Sequence, residues 1–306
     1  MKAIIKLSSM GDIIHSLIVL PKLKEKVDFI VDESFKDILT YNPYINKIVS
    51  FPLRSAKRKK SLFFETLKKA KYINYDSIYD LQGLLKSAIL ARLMSKKVIG
   101  YVNPREKLAS LFYCKRIKVK DNVAIRRYLN LFEMDDIEYL KNHPKLIFFK
   151  EKEFECLSKF KKNIVFIIGG SWECKKAPIN IWIELAKYFK KENIIIPVSN
   201  DSEEKEAKEI LKECSNVNIV KLNIEDLKSL ISKSDLLIGN DTGPSFIAWA
   251  NNVKNIILYG CTYNNKIIEN KFSKSVELQK GIISKKLDNM SKMNVNMILR
   301  KIDEFK

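Results

Sequence analysis

Histidine, paired cysteines and long apolar runs are scarce or missing in this sequence. His15 and His143 are the only histidines among 306 residues, which excludes a histidine-rich metal centre. The five cysteines are scattered and never form a Cys-x-x-Cys pair, so they predict neither a disulfide framework nor a zinc site. No apolar run approaches the roughly 18 residues that a membrane span needs, and the N-terminal residues lack a signal peptide's cleavage region. We therefore expect a cytosolic protein.

Several well-known binding fingerprints are also missing. No Gly-x-Gly-x-x-Gly follows a predicted strand, which disfavours a nicotinamide or flavin enzyme, and no P-loop is present. Asp135-Asp136 does not make an Asp-x-Asp metal motif in a strand-end loop, and no recognised nucleic-acid module occurs. We therefore expect no cofactor and no metal ion, and the missing module disfavours a nucleic-acid partner.

Positive charge is in clear excess, with 56 Lys and Arg against 36 Asp and Glu and a formal net charge of +20. Such an excess favours a polyanionic partner, either nucleic acid, an anionic membrane surface or a phosphorylated substrate. The apolar residues Leu62, Phe63 and Phe64 directly follow the densest basic run, a combination that suits an anionic amphiphile at a membrane surface. A solvated helix face is the ordinary alternative. The cations of this run are Arg54, Lys57, Arg58, Lys59 and Lys60.

Short β-branched runs alternate with helical periodicity, which is typical of parallel sheets with crossover helices. This alternation of strands and helices stops near residues 145–162, where Lys and Glu mix with Phe, and it begins again after them. We predict two similar α/β domains with a cleft between them, at residues 1–155 and 156–306, and a C-terminal helix. A further helix is predicted at residues 108–114. The predicted strands are residues 3–7, 27–31, 47–51, 77–81 and 98–101, then 163–168, 194–198, 218–220, 235–239 and 256–259.

The first of three strand-end loops, residues 8–12, ends in Gly11 and Asp12. Ligands of open parallel sheets bind beyond the carboxyl ends of the strands, where such loops lie. Asp12 is either a helix N-cap, which the spacing alone favours, or a general base that faces a substrate. Ser9 is equally suited to capping the helix and to contacting a ligand.

The other two loops, residues 169–175 and 241–245, suit a phosphate. Asp241-Thr242-Gly243 between a strand and a helix offers backbone N–H groups, a hydroxyl and a positive helix end, although an Asp N-cap explains the same pattern. Lys175 follows a Gly-rich turn that contains Ser171, which suits a diphosphate, although a single lysine is more often a solvated surface group.

At these loops the sequence resembles the lipopolysaccharide heptosyltransferases of glycosyltransferase family nine, and most closely its heptosyltransferase I branch. The similarity extends over nearly the whole chain, and its motifs are weak singly but strong in this order. In the first half they are Ser8-Ser9-Met10-Gly11-Asp12, Asp80-Leu81-Gln82-Gly83-Leu84-Leu85-Lys86-Ser87-Ala88 and Arg105-Glu106-Lys107-Leu108-Ala109-Ser110-Leu111-Phe112-Tyr113. In the second half they are Lys175 with Pro178 and Trp182, then Glu203, then Asp241-Thr242-Gly243 with Ser245.

The resemblance implies a GT-B fold of two Rossmann-like domains, the first binding the acceptor and the second the sugar nucleotide. It implies transfer of L-glycero-D-manno-heptose from ADP-heptose to the Kdo of Kdo-lipid A, with inversion and without a metal ion. The lipid part of that acceptor lies in the inner leaflet, so we expect a protein that is peripheral at the cytoplasmic face of the inner membrane. We also expect a monomer.

The resemblance also implies roles for individual residues, with Asp12 as the general base. Phe246 stands where the family often has His, and Gly170 replaces a hydroxyl residue. The implied donor-binding residues are Ser171, Lys175, Glu203, Leu222, Asp241, Thr242 and Gly243. The implied acceptor-binding residues are Ser9, Gly11, Arg54, Lys57, Arg58, Lys59, Lys60 and Arg105.

Two other functions remain open at this point. One is transfer to a different core sugar by a related heptosyltransferase. The other is a non-enzymatic protein that binds polyanions, which the ordered set of donor-site residues argues against.

Overall fold

The computed structural model describes residues 1–56, 60–119, 122–278 and 290–305. The chain divides into two compact units, Met1–Phe148 and Phe149–Lys306. This division falls before the predicted end of the first domain at residue 155. The segment after Phe148 belongs with the second unit because its backbone and side chains bond there: the Lys150 N–H donates to Glu225, and Lys152 pairs with Asp226 at 2.7 Å.

The first unit is a six-stranded parallel sheet in the order β3-β2-β1-β4-β5-β6. Its strands are β1 Lys2–Ile5, β2 Val27–Asp32, β3 Ile45–Phe51, β4 Ser77–Asp80, β5 Val98–Tyr101 and β6 Lys115–Ile117. Its helices are α1 Met10–Ser16, α2 Leu53–Ala56, α3 Lys60–Lys71, α4 Leu85–Met94, α5 Ala124–Leu131 and α6 Ile137–Lys141. Because α helices cover a parallel sheet on both faces, the central strands are largely buried, and Ile4 and Ile5 are fully buried.

The second unit repeats this topology, with the strand order β12-β11-β10-β7-β8-β9. Its strands are β7 Asn163–Ile167, β8 Asn193–Val198, β9 Val217–Lys221, β10 Leu236–Asn240, β11 Asn255–Tyr259 and β12 Ser273–Glu277. Its helices are α7 Ile179–Tyr188, α8 Asp201–Glu213, α9 Ile224–Ser232, α10 Ser245–Ala250 and α11 Val295–Asp303. The core centres on Trp182, whose ring lies 5.3 Å from the ring of Phe166.

All ten predicted strands are confirmed, but β6 and β12 were missed. Both lie at a sheet edge, where one side of the strand is unpaired, and both are polar: β6 is Lys-Arg-Ile and β12 is Ser-Lys-Ser-Val-Glu. An edge strand needs no continuous apolar run, so neither gives the signal of a buried strand. The predicted helix at residues 108–114 is instead a 3₁₀ helix, Lys107–Phe112.

In each unit the first and fourth strands are neighbours, and the strand order reverses between them. These are β1 beside β4 and β7 beside β10. A crevice opens at such a switch point because the crossovers on its two sides run to opposite faces. The loops that leave these four strands are therefore the positions to inspect for ligand binding.

Candidate functional site

A pocket of about 380 Å³ lies at the carboxyl edge of the first sheet, beside the β1–β4 switch point. Three of its lining residues are cations, Lys6, Arg105 and Arg127, and one is the carboxylate Asp12. The remaining lining residues are Leu81, Gln82, Tyr101, Asn103, Pro104 and Tyr128. A cavity of this size and charge suits a small anionic ligand such as a sugar acid.

Aromatic rings hold the cations of this pocket in place. The Lys6 ammonium is buried, donates to the Leu81 carbonyl at 3.4 Å and lies 5.2 Å from the centre of the Tyr128 ring. The Arg127 guanidinium lies 5.1 Å from the Tyr101 ring. Burial raises the pKa of the Tyr128 phenol well above its usual value; the negative charge of Asp12 adds to the shift, and Arg127 opposes it. Tyr128 therefore stays neutral at physiological pH.

The Asp80-Leu81-Gln82-Gly83 motif supports the pocket wall. Asp80 is fully buried, and its carboxylate accepts hydrogen bonds from the Gln82 and Gly83 N–H groups, Ser87 and Tyr113. Burial raises the pKa of Asp80, and these four donors oppose the shift. The Gln82 side-chain oxygen in turn accepts from the Leu7 N–H at 3.0 Å and the Ser8 N–H at 3.1 Å, which ties the β1 loop to the β4 loop.

Asp12 occupies the third position of α1 rather than the N-cap, which is Ser9. Its Oδ2 accepts from the Ser9 N–H at 3.3 Å and from the Ser9 hydroxyl at 3.1 Å. Acceptance from the Ser9 N–H is the Asp12 half of a capping box, so Asp12 stabilises the start of α1 from its third position and not as the N-cap that the spacing favoured. Asp12 also lines the pocket, so this one residue both orders its loop and contributes a carboxylate to the pocket wall.

The predicted acceptor-binding cations divide into three groups. Arg105 lines the pocket. Arg54 does not; its N–H donates to Asp32 at 2.8 Å, and its guanidinium lies 4.4 Å from the Phe35 ring. Lys57, Arg58 and Lys59 lie outside the described residues, and the described helix α3 begins at Lys60. Gly11, at the start of α1, is partly exposed.

In the second unit, Lys175 and Asp241 meet at the β7–β10 switch point. The Lys175 ammonium contacts the Asp241 carboxylate at 2.5 Å and its carbonyl at 3.3 Å, and it lies 5.0 Å from the Trp172 ring. Asp241 also accepts from the Thr262 hydroxyl at 2.9 Å. Lys175 is therefore not a solvated surface group, and Asp241 is a partner of this lysine rather than an N-cap.

Asn240, which sequence reasoning missed, clamps the Gly-rich loop of the second unit. It is fully buried; its amide donates to the Ile168 carbonyl at 2.6 Å and its oxygen accepts from the Ala177 N–H at 3.0 Å. Thr242 and Gly243 follow it and are partly exposed. Helix α10 has only six residues and Pro244 at its N-cap, so the strong helix end expected there is absent.

A disulfide joins the loop of Lys175 to the end of β11. Cys174 and Cys261 are bonded across a Cα–Cα distance of 5.5 Å, and the Cys261 N–H donates to the Cys174 carbonyl at 3.2 Å. This bond corrects the expectation that the cysteines take no part in disulfides: 87 residues separate the two cysteines, and only the sheet brings them together. The bond lies between Lys175 and Thr262, both of which contact Asp241.

Glu203 lies at the carboxyl end of β8, in the first turn of α8. Its Oε2 accepts from the Ser199 N–H and hydroxyl, both at 2.8 Å, and its Oε1 lies so close to Gly169 that a Cβ there would be 2.2 Å away. An acidic residue after the second strand is where Rossmann folds hold a ribose. Leu222 directly follows the neighbouring strand β9 and is partly buried, and Ser171 is exposed on the Gly-rich loop.

Sequence reasoning also missed Lys6, Arg127, Tyr101 and Tyr128 in the pocket of the first unit. Lys6 is buried at the end of an apolar strand, and a buried lysine requires a partner for its charge. Its place in the sequence, directly after an apolar strand, was the one feature that could have identified it as a site residue. In the part of the chain that the structure describes, no group of three His, Cys, Asp or Glu residues is placed to hold a metal ion. Among the same residues, no helix has the length and apolarity to cross a membrane.

The model of glycosyltransferase family 9 (heptosyltransferase) matches residues 63–298. The chain belongs to glycosyltransferase family 9. Among its family 9 relatives, lipopolysaccharide heptosyltransferase 1 of Campylobacter coli is 34% identical over 317 residues, covering 93% of this chain and 91% of that protein. The protein of the same name from Escherichia coli K12 is 27% identical over 288 residues, covering 85% of this chain and 87% of its own.

A solved structure of the family has the same fold. The E. coli heptosyltransferase WaaC with ADP-2-deoxy-2-fluoro heptose superimposes with a TM-score of 0.81 at 23% identity, over 100% of both chains. The predicted fold class, GT-B with two Rossmann-like units of parallel sheet, is confirmed. The resemblance to the family nine heptosyltransferases is confirmed as well, and this family 9 chain is a glycosyltransferase.

Proposed function

We propose that this family 9 enzyme transfers L-glycero-D-manno-heptose from ADP-heptose to the Kdo of Kdo-lipid A, with inversion and without a metal ion. The observation that carries the proposal is the pocket that combines Asp12 with Lys6, Arg105 and Arg127. The relatives named lipopolysaccharide heptosyltransferase 1 support the reaction class, and the WaaC complex with an ADP-heptose analogue supports the donor.

The first unit binds the acceptor in this proposal. Kdo carries a carboxylate, and a guanidinium from Arg105 or Arg127 pairs with a carboxylate through two parallel hydrogen bonds. The buried Lys6 adds positive charge where solvent screens it little. Three cations against one carboxylate leave the pocket with an excess positive charge that favours an acidic sugar over a neutral one.

Asp12 acts as the general base. An attacking sugar hydroxyl is a very weak acid, so its proton must pass to an acceptor that is held within about 3 Å as the bond to the anomeric carbon forms. The capping box with Ser9 fixes the carboxylate at the pocket wall before substrate arrives. Direct attack of the hydroxyl on the face opposite the leaving ADP inverts the anomeric carbon.

The second unit binds the sugar nucleotide. Glu203 holds the ribose hydroxyls and Leu222 contacts the base, while Ser171, Thr242 and Gly243 bind the diphosphate together with Lys175. Asp241 orients the Lys175 ammonium, so this cation is already in position to donate a hydrogen bond to the departing diphosphate. Positive charge from the protein thereby takes the place that a metal ion fills in other glycosyl transfers.

Asp12→Asn tests the proposal. We expect it to reduce kcat on ADP-heptose and Kdo-lipid A by about 10²-fold or more, because the variant cannot accept the proton, while the affinity for ADP stays unchanged. Asp37→Asn is a matched control, since Asp37 is an exposed carboxylate on a 3₁₀ helix of the same unit. Wild-type turnover by Asp12→Asn would remove the assigned base.

The acceptor is tested separately with defined sugars. Transfer to Kdo-lipid A is expected, and transfer only to an already heptosylated acceptor would instead assign the enzyme to a different step of core synthesis. Activity in the presence of a chelator is expected to equal activity without it. The proposed location is the cytoplasmic face of the inner membrane, where fractionation should place the protein with membranes at low salt.

A further inference from the structure

Two leucines outside the pocket are exposed without an evident structural reason. Leu108 is 60% exposed and Leu111 is 72% exposed, and both lie on the 3₁₀ helix Lys107–Phe112. Side chains three residues apart in a 3₁₀ helix lie on the same face, so the two leucines form one apolar ridge. Ala109 and Tyr113 are buried in the core instead and fix the orientation of this helix. We call Leu108 and Leu111 the leucine ridge.

Cations dominate the part of the first unit that carries the leucine ridge. Residues 60–118 contain thirteen Lys and Arg against four Asp and Glu, and one of these acids, Asp80, is fully buried. The 3₁₀ helix packs against α4, which packs against α3. Exposed cations on these three elements are Lys68, Lys69, Lys86, Arg92 and Lys107, and Phe64 on α3 is 61% exposed.

The leucine ridge is also continuous with the pocket. Arg105 lines the pocket and lies only two residues before the start of the 3₁₀ helix, and the Glu106 N–H donates to the Gly83 carbonyl at 3.0 Å. The segment that contributes a pocket cation therefore presents the apolar ridge to solvent. Any surface that covers the leucine ridge lies next to the pocket.

We propose that the leucine ridge inserts into the surface of a bilayer with anionic headgroups, while the surrounding lysines and arginines bind those headgroups. This rests on the proposed function, in which the acceptor sugar is attached to a membrane lipid. Apolar side chains ringed by cations match such a surface in both polarity and charge. A second copy of this chain matches it poorly, because its equivalent face would bring like charges together.

The test compares two variants by binding to vesicles of phosphatidylcholine with and without phosphatidylglycerol. In Leu108→Ser/Leu111→Ser, we expect the partition coefficient on the anionic vesicles to fall about tenfold, since two half-exposed leucines lose their apolar contact. Leu211→Ser is the matched control: Leu211 is 40% exposed on α8 of the second unit and should leave binding unchanged. Unchanged melting temperatures show that both variants are folded.

The outcomes separate this inference from the proposed function. Binding of the double variant at the wild-type level, or an equal loss in Leu211→Ser, would overturn the membrane role. So would a wild-type dimer that the double variant loses. If the wild type transfers to no Kdo acceptor but its vesicle binding still depends on the leucines, the proposed function fails and the membrane role stands. Where both hold, the double variant loses transfer to vesicle-borne acceptor and keeps it on a lipid-free Kdo glycoside.

Discussion

Reduction of the Cys174–Cys261 disulfide is expected to destabilise the second unit. A disulfide stabilises a fold chiefly by restricting the unfolded chain, and the effect grows with the length of the loop it closes. For cysteines 87 residues apart, the chain-entropy relation gives about 4.6 kcal/mol at room temperature. In a unit of this size each kcal/mol corresponds to about 2 °C or more, so we expect the melting temperature to fall by about 9 °C or more.

Calorimetry of three samples measures this effect: oxidised wild type, reduced wild type, and Cys174→Ala/Cys261→Ala. Alkylation of the unfolded protein counts its free thiols: three, Cys114, Cys156 and Cys214, should react without reductant, and the other two cysteines only after reduction. Cys114→Ser is the control, since Cys114 is exposed and unpaired with another cysteine. It should melt with the wild type and respond to reductant in the same way.

The disulfide should also affect nucleotide binding, since Cys174 directly precedes Lys175 and Cys261 directly precedes Thr262. Both of these neighbours contact Asp241, so a looser loop separates the Lys175 ammonium from its partner. We expect weaker ADP binding by reduced wild type, measured by titration calorimetry. Five alkylated cysteines without reductant, or a melting temperature that reduction does not lower, would refute this reasoning.

Two further predictions concern the first unit. Gly100→Ala should lower its free energy of unfolding by about 1–3 kcal/mol, measured by urea denaturation, because the new Cβ would lie 2.2 Å from the Tyr113 ring. Gly170→Ala in the second unit should cost less, since its Cβ would lie 3.2 Å from the flexible Lys176 side chain and 3.6 Å from the next atoms. Burial lowers the pKa of His143 below its usual value of 6.5, so the unfolded chain binds a proton at a higher pH than the folded chain does. The stability that this residue contributes is therefore present above about pH 6.5 and is lost as the pH falls toward the folded pKa. Unfolding at about pH 7.5 and about pH 5.5 should show this loss, and His143→Leu should reduce it; equal pH dependence of the two proteins would contradict the assignment.

The central strands could be predicted from sequence because burial on both faces makes most of their residues apolar. The edge strands β6 and β12 could not, since one side of each is unpaired and their residues are polar. The loop positions of Asp12, Lys175 and Asp241 followed from the strand pattern, but their contacts did not. Asp12 proved to be the third residue of a capping box, and Lys175 proved to be ion-paired, because both depend on side-chain positions that spacing does not determine.

Two of the three pocket cations, Lys6 and Arg127, were the main omission at the candidate site, whereas Arg105 was predicted from the family resemblance. Lys6 follows β1, Arg105 follows β5 and Arg127 lies on α5, so no stretch of sequence contains more than one of them. They come together only because the order of the strands in the sheet places β1, β5 and α5 near one another. The Asp80-Leu81-Gln82-Gly83 motif was recognised from the sequence, but its structural role was not. Asp80 and Gln82 form hydrogen bonds to backbone N–H groups and a buried hydroxyl, so they support the pocket wall.

Each unit locks its own loops with a buried polar residue at the end of its fourth strand: Asp80 ends β4 and Asn240 ends β10. Gly83 and Tyr113, which donate to Asp80, lie in the first unit, and Ala177 and Ile168, which bond to Asn240, lie in the second. In each unit these loops are thus held in place by residues of the same unit. Under the proposed function, the acceptor specificity of the first unit can therefore change while the nucleotide-binding loops of the second unit keep their geometry, and chimaeras that exchange units between relatives should inherit each specificity.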